Sequence, residues 1–413
     1  MVRKPKTILI VGALDTKGEE CFFIKDMVEK SRLNGMVIDC GSLGRPFRKG
    51  DITRYEVARK GGTSLGELLK TGDKGRIIQG MTDGLKAWVR ELYEKDEIHG
   101  IIALGGGQGT AMGTGAMQML PLGFPKVMVS TIASGNMRPF LQTRDIAVFP
   151  SITDVFGLNF VFNRILENAV HAVTAMTRNY RPIRKGKEKA VGITAFGTTT
   201  RGLQKMKEIL NGKGLEVILF HANGTGGKAM EEMADLGYFD GILDWSTQEI
   251  IAQVGHGIFS SGEDRMRIPS QMEIPYLVAP GAIDYITMGP YTQLSRTWQK
   301  RNIIIHNRNI TLVRATEKEM VQAAGFLSRK LNKARGQVKV MIPLKGFCEP
   351  NAEGKPFYDP QADGVFIRTL EENLRSDIPI IKVDAHINDV SFVRKGAVQM
   401  LQMLQSTKTE GGN

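Results

Sequence analysis

Three cysteines in 413 residues, Cys21, Cys40 and Cys348, stand far apart with no C-x-x-C pair, so neither a disulfide framework nor a zinc cage is encoded. The six histidines show no H-E-x-x-H or comparable ligand spacing, and no metal site is expected. No apolar run approaches the length needed to cross a bilayer. The opening MVRKPKTILIVGALD has basic residues before an apolar stretch, but Asp15 ends that stretch after eight residues and no small-residue cleavage site follows. It reads as a first strand, and a cytoplasmic location is expected. Also missing are the G-x-G-x-x-G dinucleotide fingerprint, a full P-loop and a serine nucleophile elbow.

What is present is ordinary globular material, 42% hydrophobic and 24% charged, at a length that predicts two domains. The net charge of +12 fits nucleic acid or an anionic small ligand. The densest cluster, Arg178-NYRPIRKGKEK-Lys189, holds six basic residues and one acidic residue, with the Pro and Gly of a solvated linker. No aromatic-basic RNP pattern or zinc-finger spacing accompanies it, so no nucleic-acid partner is expected.

The two halves share one plan. Strand Thr7–Ala13, loop Leu14–Lys17, helix Gly18–Arg32 and strand Met36–Cys40 make a strand-helix-strand unit, with Thr16 and Glu19 at capping-box spacing. Strand Ala190–Phe196, loop Gly197–Thr200, helix Arg201–Leu210 and strand Leu215–His221 repeat it. Further on, His99–Gly107 corresponds to Phe239–Thr247, and Pro125–Gly135 to Pro275–Asp284. The pattern predicts an α/β protein of two Rossmann-like lobes with mainly parallel sheets and an interlobe cleft: residues 1–182, a basic linker 183–189, residues 190–405, and a polar tail 406–413. The segment Gly44–Gly84 interrupts the plan and is expected to be a mobile flap or an oligomer contact.

Ligands of open α/β sheets sit at the carboxyl ends of strands, so the loops there are the candidates. IALGGGQGTAMGTGAM places six glycines directly after an apolar run. Phosphate binding by main-chain amides and tight helix-on-strand packing both account for them. The candidate nucleotide residues are Gly105, Gly106, Gly107, Gln108, Gly109 and Thr110; Ser130, Thr131, Ser134, Gly135 and Asn136 on the next loop; and Ser151 and Asp154 on the one after. Ser151 or Thr153 serves equally as a helix cap. Asp15 and Lys17 follow the first strand, where a carboxylate could hold Mg²⁺ and a lysine could neutralise phosphate, or where Asp15 and Thr16 merely start a helix.

In the second half, FHANGTGGKAM misses a P-loop by Ala222 and Ala229, yet His221, Gly224, Thr225, Gly226, Gly227 and Lys228 form a candidate anionic-substrate loop at a helix start. His221, His256 and His386 with Asp244, Asp284 and Asp384 form a weaker acid-base set. Cys40 has no identifiable base and is expected to be a small core residue.

VGALDTKGEE, ALGGGQGT, VSTIASGN, FPSITDVFGLN, FHANGTGGKAMEE, LVAPGAID, HNRNITLVR, IPLKGF, FYDP and VDAHIND occur in that order. With them the chain resembles the family known chiefly through the N-terminal region of the tomato mosaic virus resistance protein. The resemblance covers nearly the whole chain and implies a two-lobed α/β protein that binds ATP in its first lobe and forms homodimers. Gln108 and Asn136 depart from the family pattern, the latter where an acid is expected. Residues and resemblance together predict an ATP-binding protein, with or without Mg²⁺, acting as an enzyme on a small polar or anionic substrate. The alternative is a non-catalytic module whose conformation ATP sets.

Overall fold

The computed structural model describes residues 5–406; of the expected tail 406–413, Ser406 closes the last helix, Val390–Ser406, and 407–413 lie outside the described residues. The chain divides into two compact units, Met1–Arg184 and Lys185–Asn413, at a boundary inside the expected basic linker.

The first unit is a five-stranded parallel sheet built from β1 (Thr7–Gly12), β2 (Asn34–Asp39), β3 (Gly100–Gly105), β4 (Lys126–Ser130) and β5 (Ala147–Pro150), in the order β2-β1-β3-β4-β5. β1, β3 and β4 are buried along their whole length, as continuous apolar runs in a parallel sheet require. Alternate side chains divide between two faces. Ile8, Ile10, Ile102 and Leu104 join Phe162, Leu166 and Val170, and Leu9, Val11, Ile101 and Ala103 join Leu85, Val89, Met112 and Ala116. Helices therefore cover both faces. In this strand order the chain switches direction of growth between β1 and β3, and there the loops part to leave a crevice.

The second unit repeats the arrangement. β6 (Lys189–Ala195), β7 (Leu215–His221), β8 (Gly241–Ser246) and β9 (Tyr276–Gly281) are joined by β13 (Val338–Pro343) and β14 (Ile380–Val383) in a parallel sheet ordered β14-β13-β9-β8-β6-β7. Read from β7, the order matches that of the first unit with one strand added, which supports the inferred internal repeat. Between β9 and β13 the chain inserts β10 (Tyr285–Met288), β11 (Ile303–Asn307) and β12 (Ile310–Arg314), a separate antiparallel sheet. The sequence reading did not include that sheet.

Two local expectations are corrected. In place of a mobile flap, Gly44–Gly84 contains helices that pack into the first unit's core, with 44–49 exposed ahead of them. Its helices Arg54–Lys60 and Leu65–Lys70 open with full capping boxes, Thr53/Glu56 and Ser64/Glu67, and Val57, Ala58, Leu65 and Leu68 pack with Met81 and Leu85. The Thr16/Glu19 capping box does not form: Lys17 is the N-cap residue of helix Gly18–Lys30, and Thr16 Oγ1 donates weakly to Ala13 C=O at 3.4 Å.

Candidate functional site

The loops that follow β1, β2 and β3 enclose a cavity of about 310 Å³ at the switch point of the first unit. Its walls combine Asp15, Thr16 and Lys17, the turn Gly41–Leu43, the glycine turn Gly105–Gly109, and an apolar side of Ile78, Met81 and Met112. Gly105 has φ +157, and a Cβ there would lie 2.8 Å from Gly109 Cα, so this tight turn admits only glycine. The helix Gly107–Met117 begins at Gly106, which has no side chain to cap it. The N–H groups of Gly107, Gln108 and Gly109 meet no acceptor among the described residues. An uncapped helix start carries partial positive charge and free donors, the two properties that attract an anion. A Cβ on Gly107 would meet nothing within 4 Å, so that position is open.

Asp15 and Lys17 line this cavity but are already engaged. Asp15 Oδ2 accepts the Leu43 N–H at 2.7 Å and faces Arg54 Nη1 at 3.4 Å, while Oδ1 accepts nothing among the described residues. Lys17 Nζ donates to the Val155 carbonyl and sits 5.7 Å above the Phe156 ring. Arg54, which sequence reasoning missed, anchors the rim: its Nε meets Asp39 Oδ2 at 2.7 Å and its Nη1 donates to Gly44 C=O at 2.8 Å. Asp39 Oδ1 in turn accepts the N–H groups of Leu14 and Gly41. One buried ion pair thus holds the loops after β1 and β2 together. The signal was a basic residue directly behind a Thr N-cap, where a solvent-facing lysine or arginine reads the same.

Thr110 is fully buried, and its hydroxyl pairs with that of Ser130 at 2.7 Å, tying the helix after β3 to the end of β4. Thr131 N–H donates to Gly105 C=O at 3.2 Å. Beyond this wall a second cavity of about 370 Å³ is lined by Ser130, Thr131, Ser134, Ser151, Thr153 and Asp154, together with Pro150 and Ile152. Gly135 and Asn136 are exposed beside it, with Asn136 Oδ1 accepting the Arg138 N–H. Neither Ser151 nor Thr153 caps the following helix. That role belongs to Asn159, whose side chain accepts from Val161 and Phe162 N–H. The candidate first-lobe residues thus divide between two adjoining cavities, with Thr110 buried in the wall and Gly135 and Asn136 outside both linings.

In the second unit the glycine loop has an internal partner. Gly224 and Gly227 donate their N–H groups to Glu249 Oε1 at 2.8 and 3.3 Å, so the anion expected at this helix start is the protein's own carboxylate. A Cβ on Gly227 would overlap Arg265 Nε and Glu249 Oε2, and one on Gly226 would overlap the His221 carbonyl, which is what these glycines are for. Arg265 is buried among three carboxylates: Glu249 at 2.7 Å, Asp244 at 2.6 Å, and Glu231. Burial pushes the Glu231 carboxyl up, against the pull of Arg265. His221 is exposed and stacks on Phe196 at 5.2 Å, Thr225 makes no capping bond, and Lys228 is half-buried. The loop also follows β7, the edge strand, away from the β6/β8 switch point.

The weaker acid-base set divides: Asp284 and His386 meet at Cys348, while Asp244 and Asp384 lie in separate ion pairs. Asp244 belongs to the Arg265 cluster, while Asp284, raised by burial, accepts the Cys348 thiol at 3.0 Å, and burial pushes that thiol far up. His386 Nε2 bonds to Cys348 C=O at 2.8 Å, and Asp384 pairs with Lys345. Cys40 is buried as expected, its thiol pushed up to about 12 by desolvation. Among the described residues no group of three or more His, Cys, Asp or Glu is placed to hold a metal ion, and no helix is long and apolar enough to cross a membrane.

Comparison with known proteins follows the two units. Residues 6–182 match the N-terminal domain of the uncharacterised protein family UPF0261, and residues 188–404 match its C-terminal domain. A "UPF0261 protein" of Clostridium tetani (strain Massachusetts / E88) is 40% identical over 97% of this chain and 99% of its own length. The ToMV resistance protein Tm-1(GCR237) of Solanum lycopersicum is 36% identical over 77% of this chain and 43% of its own length. A crystal structure of UDP-N-acetylglucosamine 2-epimerase aligns over 90% of this chain and 92% of its own at 9% identity and a TM-score of 0.23, too low to imply a shared activity.

Proposed function

The chain belongs to the UPF0261 family, and on that premise we propose that its first unit binds a nucleotide, ATP, with the phosphates on the glycine turn Gly105–Gly109. The observation that carries this reading is the uncapped start of helix Gly107–Met117, whose free N–H groups face a cavity at the sheet's switch point. The apolar side formed by Ile78, Met81 and Met112 suits a base. Asp15 also lines this cavity, but its side chain is only 3% exposed and its charge is met by Arg54, so it does not fit the role of a Mg²⁺ ligand. ATP is also the cofactor that the family resemblance implies.

The activity proposed is ATP-dependent chemistry on a small polar substrate, and the second reading is an ATP-set module that a protein partner reads. The cavity adjoining the glycine turn favours the enzyme. ATP should raise the melting temperature of the protein, since a ligand that binds only the folded state stabilises it. No shift at millimolar ATP would remove the nucleotide. Turnover of ATP when a panel of metabolites is added separates enzyme from module.

A further inference from the structure

The cavity beyond the Gly105–Thr131 wall has a chemical character of its own. Ser130 is used up by Thr110 and by the Ile132 N–H, and Ser151 Oγ donates to Thr153 C=O at 2.6 Å. Three other hydroxyls remain. Thr131 and Ser134 make no side-chain hydrogen bond among the described residues, and Thr153 Oγ1 is buried with no partner at all. A buried hydroxyl without a partner has lost its hydration with nothing in return, which a ligand hydroxyl or amine would make good. Asp154 spends one oxygen on the Val155 N–H at 2.8 Å and has no cationic partner among the described residues. The lining thus contains one unpaired carboxylate and no cation.

The loop is also held in an unusual form. Thr153 N–H donates to Ser151 C=O at 2.7 Å around Ile152, whose φ is +62. This is a tight three-residue turn with positive φ, strained for a β-branched residue, and it leaves the Ile152 side chain 79% exposed. Strain of this kind persists only where surrounding structure enforces it. Here it fixes Thr153 and Asp154 at the cavity.

We propose that this second cavity binds a small hydroxyl- or amino-bearing compound without negative charge, placed beside the nucleotide across the Gly105–Thr131 wall. The absence of a lining cation and the presence of Asp154 disfavour phosphates and carboxylates, while the free hydroxyls match a polyol or an amino alcohol. A volume of about 370 Å³ suits a compound of small-metabolite size. A Cβ on Gly106 would lie 3.6 Å from Thr131 Oγ1, so the glycine turn and the second ligand are close neighbours. The inference rests on the nucleotide reading only for the identity of that neighbour.

Saturation-transfer NMR tests it, with glycerol, myo-inositol and ethanolamine as probes, glycerol 3-phosphate and citrate as anionic controls, and each mixture run with and without ATP. Signals are expected from the first three and not from the controls, falling at least fivefold in Thr153→Val and in Asp154→Asn, which keeps the bond to Val155 N–H. Silence from all three probes, equal signals from the anions, or signals that survive both substitutions would overturn it. Gly107→Val tells the two readings apart: it should lose ATP and keep the polyol signals. If ATP fails to bind the wild type while the probes behave as expected, the nucleotide reading falls and this one stands.

Discussion

Replacing Arg54 with Met keeps most of the stem's packing and removes the charge that joins the loops after β1 and β2. The side chains of Asp39 and Asp15 are each only 3% exposed, and both would be left without a cation. Breaking a buried ion pair from one side destabilises by roughly 3–5 kcal/mol, because the remaining carboxylate stays desolvated. For a unit of this size a urea m-value of about 2 kcal/mol/M turns that loss into a midpoint shift of roughly 1.5–2.5 M. Trp88 reports the first unit specifically. It sits in helix Lys74–Glu94, its Nε1 donates to Glu56 C=O at 3.3 Å, and Lys60 lies 5.0 Å over its ring, whereas Trp245 and Trp298 belong to the second unit. Adding Asp39→Asn to Arg54→Met should recover part of the loss by removing one stranded charge. A shift below about 0.5 M for the single variant, with no recovery in the double, would show that the pair holds nothing together.

Other outcomes follow from the same geometry. Gly107→Ala should be neutral or stabilising by about 0.4–1 kcal/mol, since a Cβ there is unobstructed, whereas Gly227→Ala should cost more than about 2 kcal/mol by driving a methyl into Arg265 and Glu249; calorimetry of the two variants compares them. Asp363 is raised to about 7, burial outweighing the neighbouring Arg314, so the folded state keeps a proton that the unfolded chain releases above its ordinary 3.8. Stability should therefore fall as pH rises from about 4 to 7, by at most ~1.4 kcal/mol per pH unit from this group, and Asp363→Asn should flatten that slope in denaturation curves taken across the range. Lys228→Ala should leave the ATP affinity measured by titration within twofold, because Lys228 belongs to the second unit's loop; a tenfold loss would move the nucleotide to that unit.

Strand positions were legible in the two larger sheets because these are parallel, which turns most of their strands into short apolar runs ending in a polar or glycine-rich loop. Leu215–His221 was read with its observed bounds, and β1, β3, β6, β8 and β9 lay within the ranges read for them to a residue or so. The packing of segment 44–84 was not legible because the helices Arg54–Lys60 and Leu65–Lys70 are short and studded with charge, and the buried side chains Arg54, Val57 and Leu68 are what show that they belong to the core. The loop Gly224–Lys228 shows a different limit. Glycines that admit a ligand and glycines that admit a neighbouring side chain have the same spacing, and here Glu249, more than twenty positions away in sequence, takes the amides. The division of the first-unit residues into two cavities was likewise hidden, because the dividing wall is a hydroxyl pair, Thr110 and Ser130, and one main-chain bond.

The claim that nucleotide phosphates rest on the glycine turn is tested most directly by isothermal titration of ATP, with Mg²⁺, into wild type and Gly107→Val, both confirmed as folded by circular dichroism. The branched side chain would occupy space that is open in the wild type at the first residue of the helix start. Saturable binding to wild type and at least tenfold weaker binding to the variant is the predicted result; equal affinity for the two folded proteins would contradict it.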